Sequence, residues 1–459
     1  IILNGTGNQG LAAFALTNNG TASDTTVTYS GNNDVILQGG ASINAERNFV
    51  GGANDRVTHV LDTLTMNGGI LRVNSGNSHS LRFDGATTLV GETNVFEPLA
   101  NGTATRSNLI LAGAITDGSA TRSVIKEGAG RMLIQSLTNT YDGVTSIKDG
   151  VLQLGAGANL GAGMTFVNGG VLSVPDMSTL DNVSAAGGLT LVAQLGTTRY
   201  SLPAIGYSGS TAIDGANPLS VNVPIAGMIL AIDGVTGTAS TNSANIDMSQ
   251  VASGNSRVWL GNVVGFDRTY TGTLTNGASG DLRLTSGANT LILSTANQLG
   301  GAAATNNLVI GYDHANPIVF TGNHIGQATA LLTGTTAGAG IVSVRNDNAN
   351  TLGTVTVNRG VTLNINGAVT TPVGVGIVTA LGGTISSDNT SAAKFGNTDF
   401  RLYGGSTLLL DNSAVATANT DRRLINTTNI DLSSSTLRLL GDGGAATASS
   451  QTVASIDYR

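Results

Sequence analysis

Short runs of alternating apolar and polar residues, separated by glycine, asparagine and aspartate, recur along almost the whole chain. One clear run covers residues 144–147, and the next, Val151–Leu154, follows after the turn residues Lys148-Asp149-Gly150. Alternation with a period of two is typical of half-buried strands, and glycine or aspartate at the breaks favours tight turns. The pattern predicts many short strands joined by turns, and no helix of useful length.

The strand–turn–strand unit returns at a regular distance. Turn glycines occur every 17 to 22 residues between Gly69 and Gly188, and similar units begin at Gly360, Gly382 and Gly404. A repeat of this length predicts a solenoid, in which each coil buries its apolar face against the next coil. At about 22 residues per coil and ~4.8 Å per coil, the chain would form a rod on the order of 100 Å long.

Prolines interrupt this pattern near the middle of the chain. Four of the seven prolines lie between Pro175 and Pro224. Because proline cannot donate a ladder hydrogen bond, this stretch predicts an edge, a long loop or a bend. We expect a β-solenoid over residues 1–174, an irregular or bent β segment over 175–257, and a continuing β-solenoid over 258–459.

The predicted fold class is all-β, an elongated right-handed parallel β-helix with a proline-containing irregular segment near its middle. A string of antiparallel β-sandwich modules also fits the composition, above all around residues 201–245. The two folds differ in their strand pairing. A sandwich pairs sequence neighbours as hairpins, whereas a solenoid pairs strands about 20 residues apart.

One stretch carries a more specific motif: residues 124–154 read VIKEGAGRMLIQSLTNTYDGVTSIKDGVLQL. With its flanks (residues 108–163) it resembles the autotransporter-associated β-strand repeat, also called the passenger-associated transport repeat, and a fainter likeness covers residues 258–311. Arg131-Met132 and Val144 depart from the repeat pattern. The matching positions are Lys126, Gly128, Gly130, Asn139, Thr140, Tyr141, Gly143, Gly150, Leu152 and Leu154. The resemblance implies a secreted β-helical stalk, and it gives these residues structural rather than catalytic roles.

Composition and charge narrow the class of protein. Glycine accounts for 64 of 459 residues, 11% of residues are charged, and the net charge is −7. Low charge argues against disorder, and without a basic cluster we expect no nucleic-acid partner. The apolar runs are too short to span a membrane. Since the chain starts with Ile-Ile-Leu, we expect an excerpt from a longer polypeptide whose export signals lie elsewhere.

Residues that could form a catalytic or metal-binding site are sparse. Most aspartates, such as Asp142 and Asp149, precede glycine and read as turn residues, so we expect no catalytic site. Trp259, the only tryptophan, should be buried in a strand. No cofactor is expected, although acidic or asparagine-rich turns at residues 346–350 and 441–444 keep Ca²⁺ open as a weaker alternative. The four histidines lack metal-site spacing and should lie at the surface or in loops: His59, His79, His314 and His324.

These patterns favour a non-enzymatic, extracellular structural protein of the bacterial cell surface, forming part of a stalk, sheath or filament. Its expected partners are further copies of the chain or neighbouring repeats, and surface glycans or the surface of a host or neighbouring cell. One alternative is an autotransporter passenger that acts as an adhesin. Another is a β-helical enzyme that degrades polysaccharides.

Overall fold

A computed structural model of the chain shows a stack of parallel β coils. The residues that the structure describes are 1–5, 11–17, 25–29, 31, 33–46, 57–76, 79–99, 108–192, 194–195, 200–224, 227–233, 241–251, 258–262, 267–275, 281–286, 290–295, 298–299, 307–311, 341–345, 354–365, 376–387, 395, 398–411, 423–424, 427–441 and 451–459.

In the N-terminal half, successive strands pass through three sheets in turn, and each strand pairs in parallel with its counterparts in the neighbouring coils. Sheet 1 contains β1 (Ile2–Leu3), β4 (Val35–Leu37), β7 (Leu64–Met66), β10 (Thr87–Leu89) and β13 (Ile115–Thr116). Sheet 2 contains β2 (Ala12–Thr17), β5 (Ala41–Glu46), β8 (Gly69–Ser75), β11 (Thr93–Pro98), β14 (Ser123–Lys126), β16 (Thr145–Ile147), β18 (Thr165–Asn168) and β20 (Leu189–Val192).

Sheet 3 runs through the whole stack. It contains β3 (Thr25–Thr28), β6 (Val57–Leu61), β9 (Ser80–Phe83), β12 (Leu109–Leu111), β15 (Arg131–Ile134), β17 (Val151–Leu154), β19 (Val171–Val174), β23 (Ala204–Tyr207), β24 (Met228–Ile232), β27 (Val258–Asn262), β30 (Asp281–Ser286), β32 (Asn307–Ile310), β34 (Thr354–Asn358), β36 (Gly376–Leu381), β38 (Thr398–Tyr403), β40 (Asn429–Ser433) and β42 (Ser455–Tyr458). Every strand pair in this series is parallel, so the expected parallel β-helix is confirmed.

In the C-terminal half, a fourth sheet accompanies sheet 3. Sheet 4 contains β25 (Thr241–Asn242), β28 (Arg268–Tyr270), β31 (Thr290–Leu293), β33 (Ile341–Val344), β35 (Thr362–Ile365), β37 (Thr384–Ser387), β39 (Thr407–Asp411) and β41 (Thr436–Leu440). A small sheet 5 pairs β26 (Ile246–Asp247) with β29 (Leu274–Thr275). One short antiparallel hairpin joins β21 (Gln194–Leu195) and β22 (Tyr200–Ser201).

A column of apolar side chains inside the coils explains why the strands stack in register. In the best-defined part, Met132, Leu152 and Leu172 are direct partners on successive strands and are fully buried. Because alternate residues of a strand point to opposite faces, one register buries a continuous interior. The column continues through Leu109, Ile205, Leu230, Leu260, Leu284, Ile310, Val357, Ala380, Leu402 and Leu432.

The segment at residues 175–257 differs from expectation in two ways. It contains an α-helix, α1 (Met177–Ala186), which the sequence pattern did not predict; Asp176 caps it by accepting a hydrogen bond from the Thr179 backbone N–H at 2.7 Å. It also contributes β23 and β24 to sheet 3 in parallel pairing, so the sandwich alternative is wrong for this stretch. The boundaries at residues 174 and 257 stay predictions.

Candidate functional site

Lys126, the first residue of the sequence motif, points into the interior of its coil and is fully buried. Its Nζ donates to the backbone oxygens of Glu127 at 2.8 Å and Gly128 at 2.6 Å, and to that of Asp149 in the next coil at 3.0 Å. Burial lowers the pKa of Lys126 to about 7, although the carboxylates of Asp149 and Glu127 act in the opposite direction. This amine ties two successive turns together.

The motif glycines allow neighbouring turns to approach closely. Gly128 and Gly150 have φ of +71° and +63°, a left-handed geometry that disfavours other residues. Gly130 and Gly143 lie directly against the backbone of the preceding coil, so a Cβ at either position would overlap it. Any side chain at these four positions would therefore push successive coils apart or strain a turn.

Asn139 connects three coils through its side chain. Its Oδ1 accepts a hydrogen bond from the Ile115 backbone N–H at 2.8 Å, and its Nδ2 donates to the Asn159 backbone oxygen at 2.6 Å. The next residue, Thr140, extends the contact, since its backbone N–H donates to the Ile115 oxygen at 3.0 Å. The buried amide is thus satisfied by the coil on each side.

The remaining motif residues fill the interior. Tyr141 is fully buried, and its hydroxyl lies 2.6 Å from the Thr145 hydroxyl. Leu152 belongs to the interior column, and Leu154 is buried beside it. All ten motif positions therefore take part in coil geometry, coil packing or coil-to-coil hydrogen bonds.

A charged cluster that the sequence analysis missed is centred on Asp233, which directly follows β24 of sheet 3. Asp233 is fully buried and binds Arg131 through two contacts, Nη1–Oδ2 at 2.9 Å and Nη2–Oδ1 at 3.0 Å. Arg268 donates to the same carboxylate at 3.2 Å, and the Ser173 hydroxyl donates at 2.5 Å.

Burial raises the pKa of Asp233, but the two arginines and the serine outweigh that effect and hold the pKa below its ordinary value. Arg131 is one of the residues that depart from the repeat pattern, and its partner lies 102 residues away. No local signal could have linked the two. The cluster ties the motif coils to the coils that follow the proline-containing segment.

The expectation of surface or loop histidines is wrong for His59, which lies in β6, whereas His79 lies in the loop before β9 but is buried. Both are buried and form a chain with Tyr29: the Tyr29 hydroxyl lies 2.8 Å from His59 Nδ1, and His59 Nε2 lies 3.0 Å from His79 Nδ1. Burial, with a smaller effect of His79, lowers the pKa of His59 to about 4. The other two histidines, His314 and His324, lie outside the described residues.

The structure also bears on the remaining sequence candidates. Trp259 is buried in β27, as predicted, and its Nε1 donates to the Gly311 backbone oxygen at 3.2 Å. The turn aspartate Asp117 accepts a hydrogen bond from the Asp142 backbone N–H of the next coil at 3.0 Å. Residues 346–350 and 442–444, the turns considered for calcium, lie outside the described residues.

Within the described ranges, no group of three or more His, Cys, Asp or Glu side chains could hold a metal ion. In the same part of the chain, no helix has the length and apolar character needed to cross a membrane.

Comparison with known proteins adds one relative. The chain is similar to a bacterial adhesin. It is 28% identical over 342 residues to the adhesin BmaC autotransporter of Brucella suis biovar 1 (strain 1330), a match that covers 73% of this chain and 8% of that protein. The chain thus spans less than a tenth of the length of this curated relative.

No family model matches the chain, and no solved structure matches it. The specific likeness to the autotransporter-associated β-strand repeat therefore stays a prediction, while the broader likeness to an autotransporter adhesin is shown by the match to BmaC.

Proposed function

We propose that this chain is a non-catalytic β-solenoid segment of an autotransporter adhesin, displayed at the bacterial cell surface. The carrying observation is the unbroken parallel stacking of sheet 3 in a chain that is similar to an autotransporter adhesin. A stacked solenoid offers a long outer surface whose polar side chains contact a partner, while its interior column keeps that surface rigid.

The chemistry of the motif supports a scaffold role. Lys126 and Asn139 are the kind of buried polar groups that an active site could use, yet their donors are directed at backbone oxygens of their own and adjacent coils. The Asp233 carboxylate is likewise neutralised by Arg131 and Arg268. The partners we propose are glycans or proteins on a host or neighbouring cell.

The test is binding of the purified chain to host-cell monolayers, measured with a fluorescent label over a concentration series. We expect saturable binding that an excess of unlabelled chain displaces. Heat-unfolded chain serves as the control for non-specific adsorption. Binding that does not saturate, or that the unfolded chain reproduces, would overturn the adhesin role.

A parallel assay addresses the enzyme alternative and the calcium expectation. Incubation with acidic polysaccharides, with and without Ca²⁺, should leave the polymer length unchanged, and Ca²⁺ should not shift the melting temperature of the chain. Depolymerisation that a single Asp→Asn substitution abolishes would support the alternative that the chain is a β-helical enzyme that degrades polysaccharides.

A further inference from the structure

The solenoid changes its set of sheets between an N-terminal section (residues 108–192, β12 to β20) and a middle section (residues 204–310, β23 to β32). Sheet 2 ends with β20, and sheet 4 begins with β25. Among the residues that the structure describes, sheet 3 alone has strands in both sections, and its pair β19–β23 crosses the seam between them. Because a solenoid is held together mainly by contacts between neighbouring coils, a seam crossed by one sheet is a place where the stack can open.

The Asp233 cluster crosses this seam. Asp233 belongs to the middle section, and its buried carboxylate binds Arg131 and Ser173 of the N-terminal section. Along sheet 3, Arg131 and Asp233 lie four strand steps apart, from β15 through β17, β19 and β23 to β24. By contrast, the Arg72–Glu97 ion pair joins strands that are direct neighbours. The cluster thus couples coils that do not pair with each other.

The contact geometry fixes how the two sections are placed. Arg131 directs both of its Nη atoms at the two carboxylate oxygens, at 2.9 and 3.0 Å, and its Nη1 also donates to Gln153 at 3.0 Å. A planar guanidinium bound in this way sets both the distance and the orientation of its partner. Asp233 is held within the middle section, since its backbone N–H donates to the Tyr207 oxygen at 3.0 Å.

Opening the seam would disrupt this cluster. It would take Arg131 and Ser173 away from the carboxylate and leave Arg268, in β28 of the middle section, as its remaining arginine partner in the cluster. Removing one partner of a buried ion pair is strongly destabilising, because the charge that stays behind has lost the group that offset its desolvation. Separation of the sections therefore costs more than the β19–β23 strand pairing alone.

We propose that the Asp233 cluster is a strap that makes the N-terminal and middle sections unfold as one cooperative unit. A stack with contacts only between neighbouring coils opens in parts, starting wherever a coil interface is weakest. The strap counteracts such an opening at the seam, so that the seam does not act as a hinge in the rod. This proposal does not depend on the adhesin role.

Hydrogen exchange of the intact chain in a urea series, followed by mass spectrometry, tests the strap. Strands β12 and β15 report on the N-terminal section, and β27 and β30 report on the middle section. In the unmodified chain, both sets of strands should lose protection at the same urea concentration and with the same slope. Two separate transitions in the unmodified chain would overturn the proposal.

Arg131→Met removes the contact across the seam while keeping a long apolar side chain. The two sets of strands should then lose protection at urea concentrations that differ by about 1 M or more. Arg268→Met is the matched control, because Arg268 binds the same carboxylate from within the middle section and is similarly buried, at 8% against 10% side-chain exposure. It should shift both sets to lower urea together.

Two outcomes with the variants would contradict the strap. If both sets still lose protection together in Arg131→Met, the pairing of sheet 3 couples the sections without the cluster. If Arg268→Met separates the sets as far as Arg131→Met does, the effect is general destabilisation. Far-UV circular dichroism checks that each variant folds. Ser173→Ala removes one hydrogen bond across the seam and supplies the test where Arg131→Met does not fold: a smaller separation of the two sets supports the strap, and coincident loss contradicts it.

Discussion

The coils at residues 108–174 and those at residues 354–440 stack in the same way but are held together by different polar contacts. In the first region, strands pair at a spacing of 20 to 23 residues, 20 between Met132 and Leu152, and side chains in the turns bond to the backbone of the adjacent coil. In the second region, the spacing is 22 to 30 residues, and outward side chains bond to one another across strands.

What the two regions share is the apolar interior. Leu152 and Leu402 occupy equivalent places in one column, although the coils around them differ in length and in turn chemistry. We infer that the interior column sets the register of the stack, while the polar contacts that join neighbouring coils differ from one region to another. Turn glycines of the tight coils at residues 108–174 lie against the backbone of the preceding coil, and in the longer coils at residues 354–440 Gly383 does so while Gly404 has open space around it.

The largest effect should come from a turn glycine of the tight coils. A Cβ on Gly163 would overlap the backbone of Gly143 in the preceding coil, so Gly163→Ala should lower the free energy of unfolding by about 3 kcal/mol or more. Gly404, in a turn of the longer coils, has φ +61° and open space around it. Gly404→Ala should cost only about 1 kcal/mol, from backbone strain.

Urea unfolding followed by circular dichroism measures both glycine variants. Equal losses for the two would contradict the view that contact with the adjacent coil makes Gly163 harder to replace than Gly404.

Lys126→Met should have the next largest effect. It removes three hydrogen bonds to buried backbone oxygens while keeping the apolar stem, so we expect a loss of about 2–3 kcal/mol in the free energy of unfolding. The matched control is Lys148→Met, because Lys148 forms a 3.0 Å ion pair with Glu127 at the surface. That variant should cost about 0.5 kcal/mol or less. A Lys126 variant as stable as the control would show that the buried amine is dispensable.

Acid should loosen the N-terminal coils before the others. The pKa of His59 is lowered from 6.5 to about 4 in the folded chain, so between these values the unfolded state binds a proton that the folded state does not. Stability should therefore fall as the pH drops from 6.5 to 4. We expect a loss of about 1–2 kcal/mol, less than the full shift implies because solvent screens part of it.

Hydrogen exchange at Tyr29 and residues 57–61, followed from pH 7 to pH 4, checks this prediction. Faster exchange there than at residues 354–365 is the expected result, and His59→Gln should remove the difference in pH response. A uniform response along the stack would argue against a local effect of the histidine chain.

The smallest effect should come from the outward contacts of the longer coils. Asn364→Ala removes a 2.9 Å hydrogen bond to Ser386 and a 3.4 Å one from Ser343, and should cost about 0.5–1 kcal/mol because Asn364 is partly exposed to water. A double-mutant cycle with Ser386→Ala isolates the direct contact. Fully additive losses would mean that the two side chains do not stabilise each other.

Much of the fold could be predicted from the amino-acid sequence. Alternation in stretches such as Val151–Leu154 indicates strands, and the spacing of the units indicates parallel pairing between coils. The sequence motif predicted structural roles for Lys126 and Asn139. It did not reveal their hydrogen-bond partners, because these are backbone groups of neighbouring coils.

Other features depend on contacts that no local pattern encodes. Arg131 finds Asp233 at a distance of 102 residues, which only the path of the coils determines. His59 occupies the same face of β6 as the buried Val57 and Leu61, but its residue type suggested the surface or a loop. Helix α1 did carry a weak signal, since Met177, Leu180 and Val183 recur every three residues after the capping Asp176.

The central claim, in-register stacking of successive coils, is tested most directly by a distance between two spin labels on the cysteine-free chain. Thr356 and Asp457 lie 101 residues apart in sequence but share one row of sheet 3, four strands apart. Double electron–electron resonance should give a narrow distance near 19 Å, four steps of ~4.8 Å, plus the reach of the labels. A broad distribution centred beyond about 40 Å would contradict the stacked solenoid.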